Sequence, residues 1–197
     1  GIAPLVEADL PRAAALAAAT PIGPFADSIH WYFGRLPEGR RLLVAAMAKA
    51  SPATATRLLE ILDYSLVNSG AVPPPEGWQE VVARFADGPA KEKAQRLSAV
   101  FGDIGVLAAM RGTLADRTAA PATRKDAFAL LSRAGDKEAV PIFVALLDEP
   151  EFCAVALPLV SRSNDPAVAE KLLAAYPSLS EQDRGAAIAT LASKPSF

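Results

Sequence analysis

The chain has one cysteine, Cys153, and one histidine, His30, among 197 residues. A single thiol excludes a disulfide within the chain. A structural zinc site takes about four cysteine or histidine ligands, and two such residues cannot supply it. No C-x-x-C-H run is present to attach a c-type haem. The chain alone is therefore expected to hold no metal and no cofactor. Basic charge is not in excess either: 20 Lys and Arg face 22 Asp and Glu, a net charge of −2. A nucleic-acid coat and a polybasic membrane anchor both need a surplus that is missing here. Nucleic acid and membrane are thus not expected as partners, and the same balance weighs against a DNA-base-processing helical repeat.

Strand signals are scarce. β-branched residues rarely alternate with polar ones, and Asp87-Gly88 runs straight into Pro89 rather than turning a hairpin. No serine sits in a G-x-S-x-G elbow. Gly102-Asp103-Ile104-Gly105 lacks the glycine spacing of a phosphate-binding loop. The opening residues hold no basic stretch and no long apolar run, so no signal peptide or membrane span is expected in this stretch. The chain reads as a processed protein or a segment cut from a longer one.

Alanine is what the chain has most of, roughly a fifth of its residues, well above ordinary usage. Alanine loses no side-chain entropy in a helix and is the best helix former. The expected class is all-α. Punctuation predicts helices over Pro11–Ala19, Phe25–Leu36 and Glu38–Ala50. Ser51-Pro52 supplies an N-cap followed by a proline in the first turn, starting a helix that should reach about Asn68. Ser69 to Pro75 is the clearest loop. Helices are then expected over Gly77–Ala86, Ala90–Phe101 and Ile104–Ala115.

The last third repeats. Ala127 to Asp136 and Ala156 to Asp165 carry alanine, leucine, serine, arginine and aspartate at matching places. Second helices follow at Glu138–Leu147 and Pro166–Ala175, and a third first-helix at Glu181–Ala192. Asp136 and Asp165 are expected as helix caps rather than catalysts, and Arg133 and Arg162 as cations at helix C-termini. Ser180 and Asp183 resemble a capping box. Helix pairs of this kind cannot bury their apolar faces alone and stack into an array. The expected architecture is a right-handed α-solenoid of HEAT-like helix pairs, with about ten to twelve helices. Residues 1–120 form its irregular part and residues 121–197 its regular repeats, in one continuous domain.

Catalytic chemistry finds little support, and no catalytic residue is assigned. His30 lies in Ile29-His30-Trp31-Tyr32-Phe33. It reads either as a haem ligand or base in an aromatic pocket, or as a histidine on the flank of a helix packed by Phe25, Ile29 and Phe33. A lone imidazole favours the second reading. The aromatic cluster is still the best binding candidate, because Trp and Tyr join contact area to a polar handle. The binding residues expected are His30, Trp31, Tyr32, Arg35 and Arg40, with Arg41 nearby. Cys153 has no base beside it and reads as a buried structural thiol. Asp126, Asp136, Asp148, Glu149 and Glu151 follow helix ends and turns rather than a paired-carboxylate geometry. Lys91, Lys93, Arg96, Arg111 and Arg117 are interleaved with acids and read as solvated faces.

The pattern resembles HEAT-like helical repeats. Ala127 to Phe197 is similar to something narrower: the helical region of the large membrane-bound dehydrogenase or haem-binding proteins of planctomycetes and related bacteria. The most specific stretch is Lys171 to Pro195. It comprises Lys171-Leu172-Leu173, Tyr176-Pro177, the Leu179-Ser180 cap and an alanine helix ending Leu191-Ala192-Ser193-Lys194-Pro195. Gly23-Pro24-Phe25 with His30 is more loosely like that family. The resemblance implies a module between a β-propeller similar to sugar dehydrogenases and a c-type cytochrome domain, outside the cytoplasm. Neither domain's motifs occur in this chain, so no catalytic or haem-ligating residue carries over. The functions expected are a non-catalytic scaffold whose partners are those flanking domains or another protein, and, as the alternative, a stand-alone binder of peptides or small ligands at the aromatic patch.

Overall fold

A computed structural model of the chain describes residues 3–161 and 167–192. The expectations for Arg162, Asp165 and Pro166, and for Ser193 to Phe197, lie outside the described residues. Among the described residues every regular element is helical, and there is no strand. The thirteen α-helices are α1 (Ala3–Ala8), α2 (Leu10–Ala19), α3 (Gly23–Arg35), α4 (Pro37–Lys49), α5 (Pro52–Ser65), α6 (Trp78–Val82), α7 (Lys91–Val100), α8 (Ile104–Ala115), α9 (Pro121–Ala134), α10 (Val140–Ala145), α11 (Pro150–Val160), α12 (Ala167–Ala175) and α13 (Glu181–Ala192). Single 3-10 turns extend α6 and α12, and α10 carries one at each end. None of the described helices is long and apolar enough to cross a membrane by itself.

Local chemistry explains the boundaries. Ser51 Oγ accepts the Thr54 N–H at 3.3 Å, with Pro52 in the first turn of α5. Ser180 Oγ accepts from the Asp183 N–H at 3.2 Å and donates to the Asp183 carboxylate at 2.6 Å, so the serine half of the expected capping box forms. α9 stops at Gly135, whose φ of 62° lies in the left-handed region that favours glycine. Asp136 then accepts the Glu138 N–H and caps the next turn. α5 ends at Ser65, short of Asn68. The Leu66 N–H is shared between the Leu62 and Asp63 carbonyls at 3.2 Å each, a tightening that closes the helix. α1 has no counterpart among the predicted helices.

The chain divides into two compact units, one ending at Ala108 and one beginning at Ala109, so the division falls inside α8. In the first unit α3 packs on α2, α4 and α5, while α4 also meets α6 and α5 meets α7. Its core includes Ile29, Phe33, Met47, Leu59, Leu62 and Trp78. The hairpin-like junction of α3 and α4 is close: a Cβ on Gly39 would fall 2.4 Å from the Phe33 carbonyl oxygen.

In the second unit α10 packs on α11 and α12, and α11 packs on α13. The repeat is visible in burial. Ala127 and Ala156, Leu131 and Val160, Ala139 and Val168, and Phe143 and Leu172 lie 29 residues apart, and all eight are buried. Phe128 bridges α9 to its neighbours, its ring meeting Phe143 at 5.3 Å and Phe152 at 5.9 Å.

Candidate functional site

The site is best built from two helix faces of the first unit. α3 buries Ile29 and Phe33, so Asp27, Ser28, Trp31 and Tyr32 fall on its flank. α5 buries Leu58, Leu59 and Leu62, which leaves Arg57, Glu60, Ile61 and Tyr64 on the other side. These eight residues line an open groove of about 640 Å³. The helices can approach closely here because Gly34 of α3 faces Ser65 of α5. Arg57 ties the groove across its length, donating from Nε to Asp27 Oδ1 at 2.9 Å and from Nη2 to Oδ2 at 2.5 Å. Glu60 pairs with Lys93 of α7.

Two of the sequence-predicted residues, Trp31 and Tyr32, line this groove. Their rings meet edge to face at 5.1 Å and 84°. The Arg35 guanidinium lies over the Trp31 ring, 5.1 Å from its centre. Trp31 Nε1 is buried and has no hydrogen-bond partner among the described residues. Tyr64, 71% exposed, places a third ring at the groove. Its signal was in the sequence: Arg57, Glu60, Ile61 and Tyr64 recur at helical spacing opposite Leu58, Leu59 and Leu62.

His30 stands apart from the groove lining. Its ring meets the edge of Phe33 at 6.2 Å, and Nδ1 is buried without a partner among the described residues. Burial holds its pKa below the ordinary 6.5, with Asp27 opposing and Arg57 reinforcing the shift. The imidazole packs on a phenyl ring of its own helix. Arg40 also lies elsewhere. It is 5% exposed and donates from Nη1 to the Gly34 carbonyl at 3.2 Å, so it braces the α3–α4 junction. Burial pushes its guanidinium pKa down. Arg41 is half-buried and donates to Glu38 from Nε at 2.9 Å.

The other candidate residues are buried or held in ion pairs. Cys153 is 4% exposed, and burial first, then Asp183 and Asp148, push its thiol pKa up. Glu149 receives both ends of the Arg124 guanidinium, at 2.7 and 3.1 Å. Asp136 pairs with Arg111 at 2.6 Å. The interleaved cations are likewise engaged: Arg96 with Asp63, and Arg117 with Glu149. Among the described residues no three of His, Cys, Asp and Glu gather where they could hold a metal ion.

The groove offers aromatic faces, hydroxyls and charges of both signs on a pair of packed helices. No family model, no curated protein and no solved structure matches this chain.

Proposed function

We propose that this chain is a non-catalytic helical-repeat interaction module that seats a peptide-like partner in the groove between α3 and α5. The observation that carries the reading is the clustering of Trp31, Tyr32 and Tyr64 around one open groove, where a globular helix pair would ordinarily present charge. The scaffold behind it is a stack of HEAT-like helix pairs in an α-solenoid. The 29-residue recurrence of buried positions in the second unit supports that arrangement. In the setting the resemblance implies, the module would join a dehydrogenase-like propeller to a cytochrome domain in an exported protein.

Two experiments test these parts separately. A displayed library of random peptides is panned on the full chain and on its Trp31→Ala variant. Sequences enriched by the wild type and lost with the variant are expected, while the variant keeps the wild-type helical signal. Enrichment indifferent to Trp31, or none, sinks the groove reading. For the setting, the native protein is purified from its source for intact mass and visible absorption. A polypeptide much larger than 20.5 kDa with a haem Soret band is expected. A colourless species near 20.5 kDa removes the propeller–cytochrome setting and leaves the binding module.

A further inference from the structure

The first unit carries a second feature that the groove reading leaves unused. Val72-Pro73-Pro74-Pro75 runs between α5 and α6. Proline fixes φ near −65°, and each residue before a proline is pushed into extended backbone. Val72, Pro73 and Pro74 all precede prolines, so sequence alone confines the segment to a polyproline-II path. The fold pins both ends. The Val72 N–H donates to the Val100 carbonyl at 3.0 Å, and the Trp78 N–H to the Pro75 carbonyl at 3.2 Å. Pro75 is buried, whereas Pro73 and Pro74 are exposed. The result is a stiff, exposed apolar ridge lying along the start of α4, followed by the exposed carboxylate of Glu76, which faces Arg41.

Aromatic-lined grooves take polyproline segments because the ligand loses little entropy on binding and its ring faces pack on Trp and Tyr. This chain has both halves of such a contact. The groove presents Trp31, Tyr32 and Tyr64. At its edge lies Arg35, exposed and unmatched by any carboxylate among the described residues. The ridge presents two prolines and, two residues beyond Pro74, an acid. The ridge packs beside Pro37, Glu38 and Arg41 at the start of α4, while the groove lies along α3 and α5. We infer that the groove of one copy seats the Pro73-Pro74 ridge of a second copy of this chain, with Glu76 meeting Arg35.

The inference rests on reading the groove as a binding site, and the test separates the two. Sedimentation velocity of the full chain is followed from roughly 10 µM to 1 mM. The expected result is a mass that rises above the monomer with concentration. Trp31→Ala and the Pro73→Ser/Pro74→Ser double variant are each expected to stay monomeric, and an equal mixture of them to form heterodimers, since each keeps one intact half. Arg35→Glu changes only an exposed side chain and so guards against loss of folding. It is expected to weaken association about tenfold, with recovery when Glu76→Arg is added. A wild type that stays monomeric at the highest concentration overturns the proposal, as does a proline variant that associates normally. In parallel, a synthetic peptide of Ser69 to Glu76 is titrated while tryptophan emission is recorded, with Trp31→Phe as control. If the peptide shifts Trp31 emission but the chain stays monomeric, self-pairing is wrong and the groove reading stands. If neither occurs and the library enriches nothing, both fall.

Discussion

Gly34 on α3 lies so close to Ser65 on α5 that a methyl group on its Cα would fall 1.9 Å from Ser65 Oγ and 2.7 Å from Ser65 Cβ. Ser65 is itself buried and donates to the Leu62 carbonyl at 2.7 Å, so it cannot swing away freely. This contact sets the spacing of the two helices that form the groove. Gly34→Ala is expected to destabilise the protein by about 1–3 kcal/mol through overpacking. Adding Ser65→Gly removes both offending atoms and should recover part of the loss. Urea unfolding of the four proteins in the double-mutant cycle measures the coupling. A Gly34→Ala protein as stable as wild type would show that the helices do not meet as described.

His30 makes stability depend on pH above the range where carboxylates titrate. Burial lowers its pKa from 6.5 in the folded chain. As the pH drops below that value, the unfolded chain binds a proton that the native state resists, so stability falls. The expected result is a wild type that loses stability as the pH falls below about 6.5, and a His30→Gln variant with a flatter profile. Chemical denaturation at several pH values decides it. Parallel profiles for the two proteins would place His30 in contact with water instead.

The Arg124–Glu149 pair joins α9 to the start of α11. Arg124 is 5% exposed, also donates from Nε to the Leu114 carbonyl at 3.0 Å, and lies over the Phe152 ring. Replacing Arg124 with Ala strands the Leu114 carbonyl and leaves Glu149 with Arg117 alone. About 3 kcal/mol should be lost, the usual cost of breaking a buried pair. Hydrogen bonding from Arg124, then the charges of Arg124 and Arg117, holds the Glu149 carboxyl below its ordinary 4.5 against the opposing effect of burial. Its contribution is therefore present above that value and disappears as the pH falls through the lowered one. Glu149→Gln is expected to be less stable than wild type at pH 7, with the gap narrowing in acid. A gap that stays constant into acid would count against the ion pair.

Trp78 reports the core of the first unit. Its Nε1 donates to Ser98 Oγ at 3.0 Å, and its ring meets Phe101 edge to face at 4.9 Å. Both partners of that hydrogen bond are buried. Ser98→Ala leaves the indole N–H unpaired and is expected to cost about 1–3 kcal/mol in urea unfolding. An unchanged midpoint would mean that water reaches the indole.

Cys153 tests the second unit without a mutation. A thiol that is buried and held above its ordinary 9.0 is protonated and inaccessible at neutral pH. A thiol reagent is expected to label it at least about a hundredfold faster in denaturant than in buffer, because labelling must await opening. Equal rates would put the thiol on the surface.

The sequence by itself determined the helical class and most helix boundaries, because those are local matters. Alanine favours helix wherever it stands, prolines start helices at residues 37, 52 and 150, and Ser51, Asp136 and Ser180 satisfy free N–H groups within three residues of themselves. The 29-residue recurrence was equally readable, since register is a property of the chain. The path of Pro73-Pro74 also follows from covalent geometry alone. What each side chain faces is not local, and there the tertiary structure decided. Trp31, Tyr32, Arg35 and Arg40 looked equivalent by proximity in sequence. Packing of α3 against α5 sent Trp31 and Tyr32 to a groove completed by Tyr64, some thirty residues away. The α3–α4 junction drew Arg40 inward to the Gly34 carbonyl, and His30 was turned onto Phe33. Helical periodicity names the faces, but only the crossing of two particular helices says which faces meet.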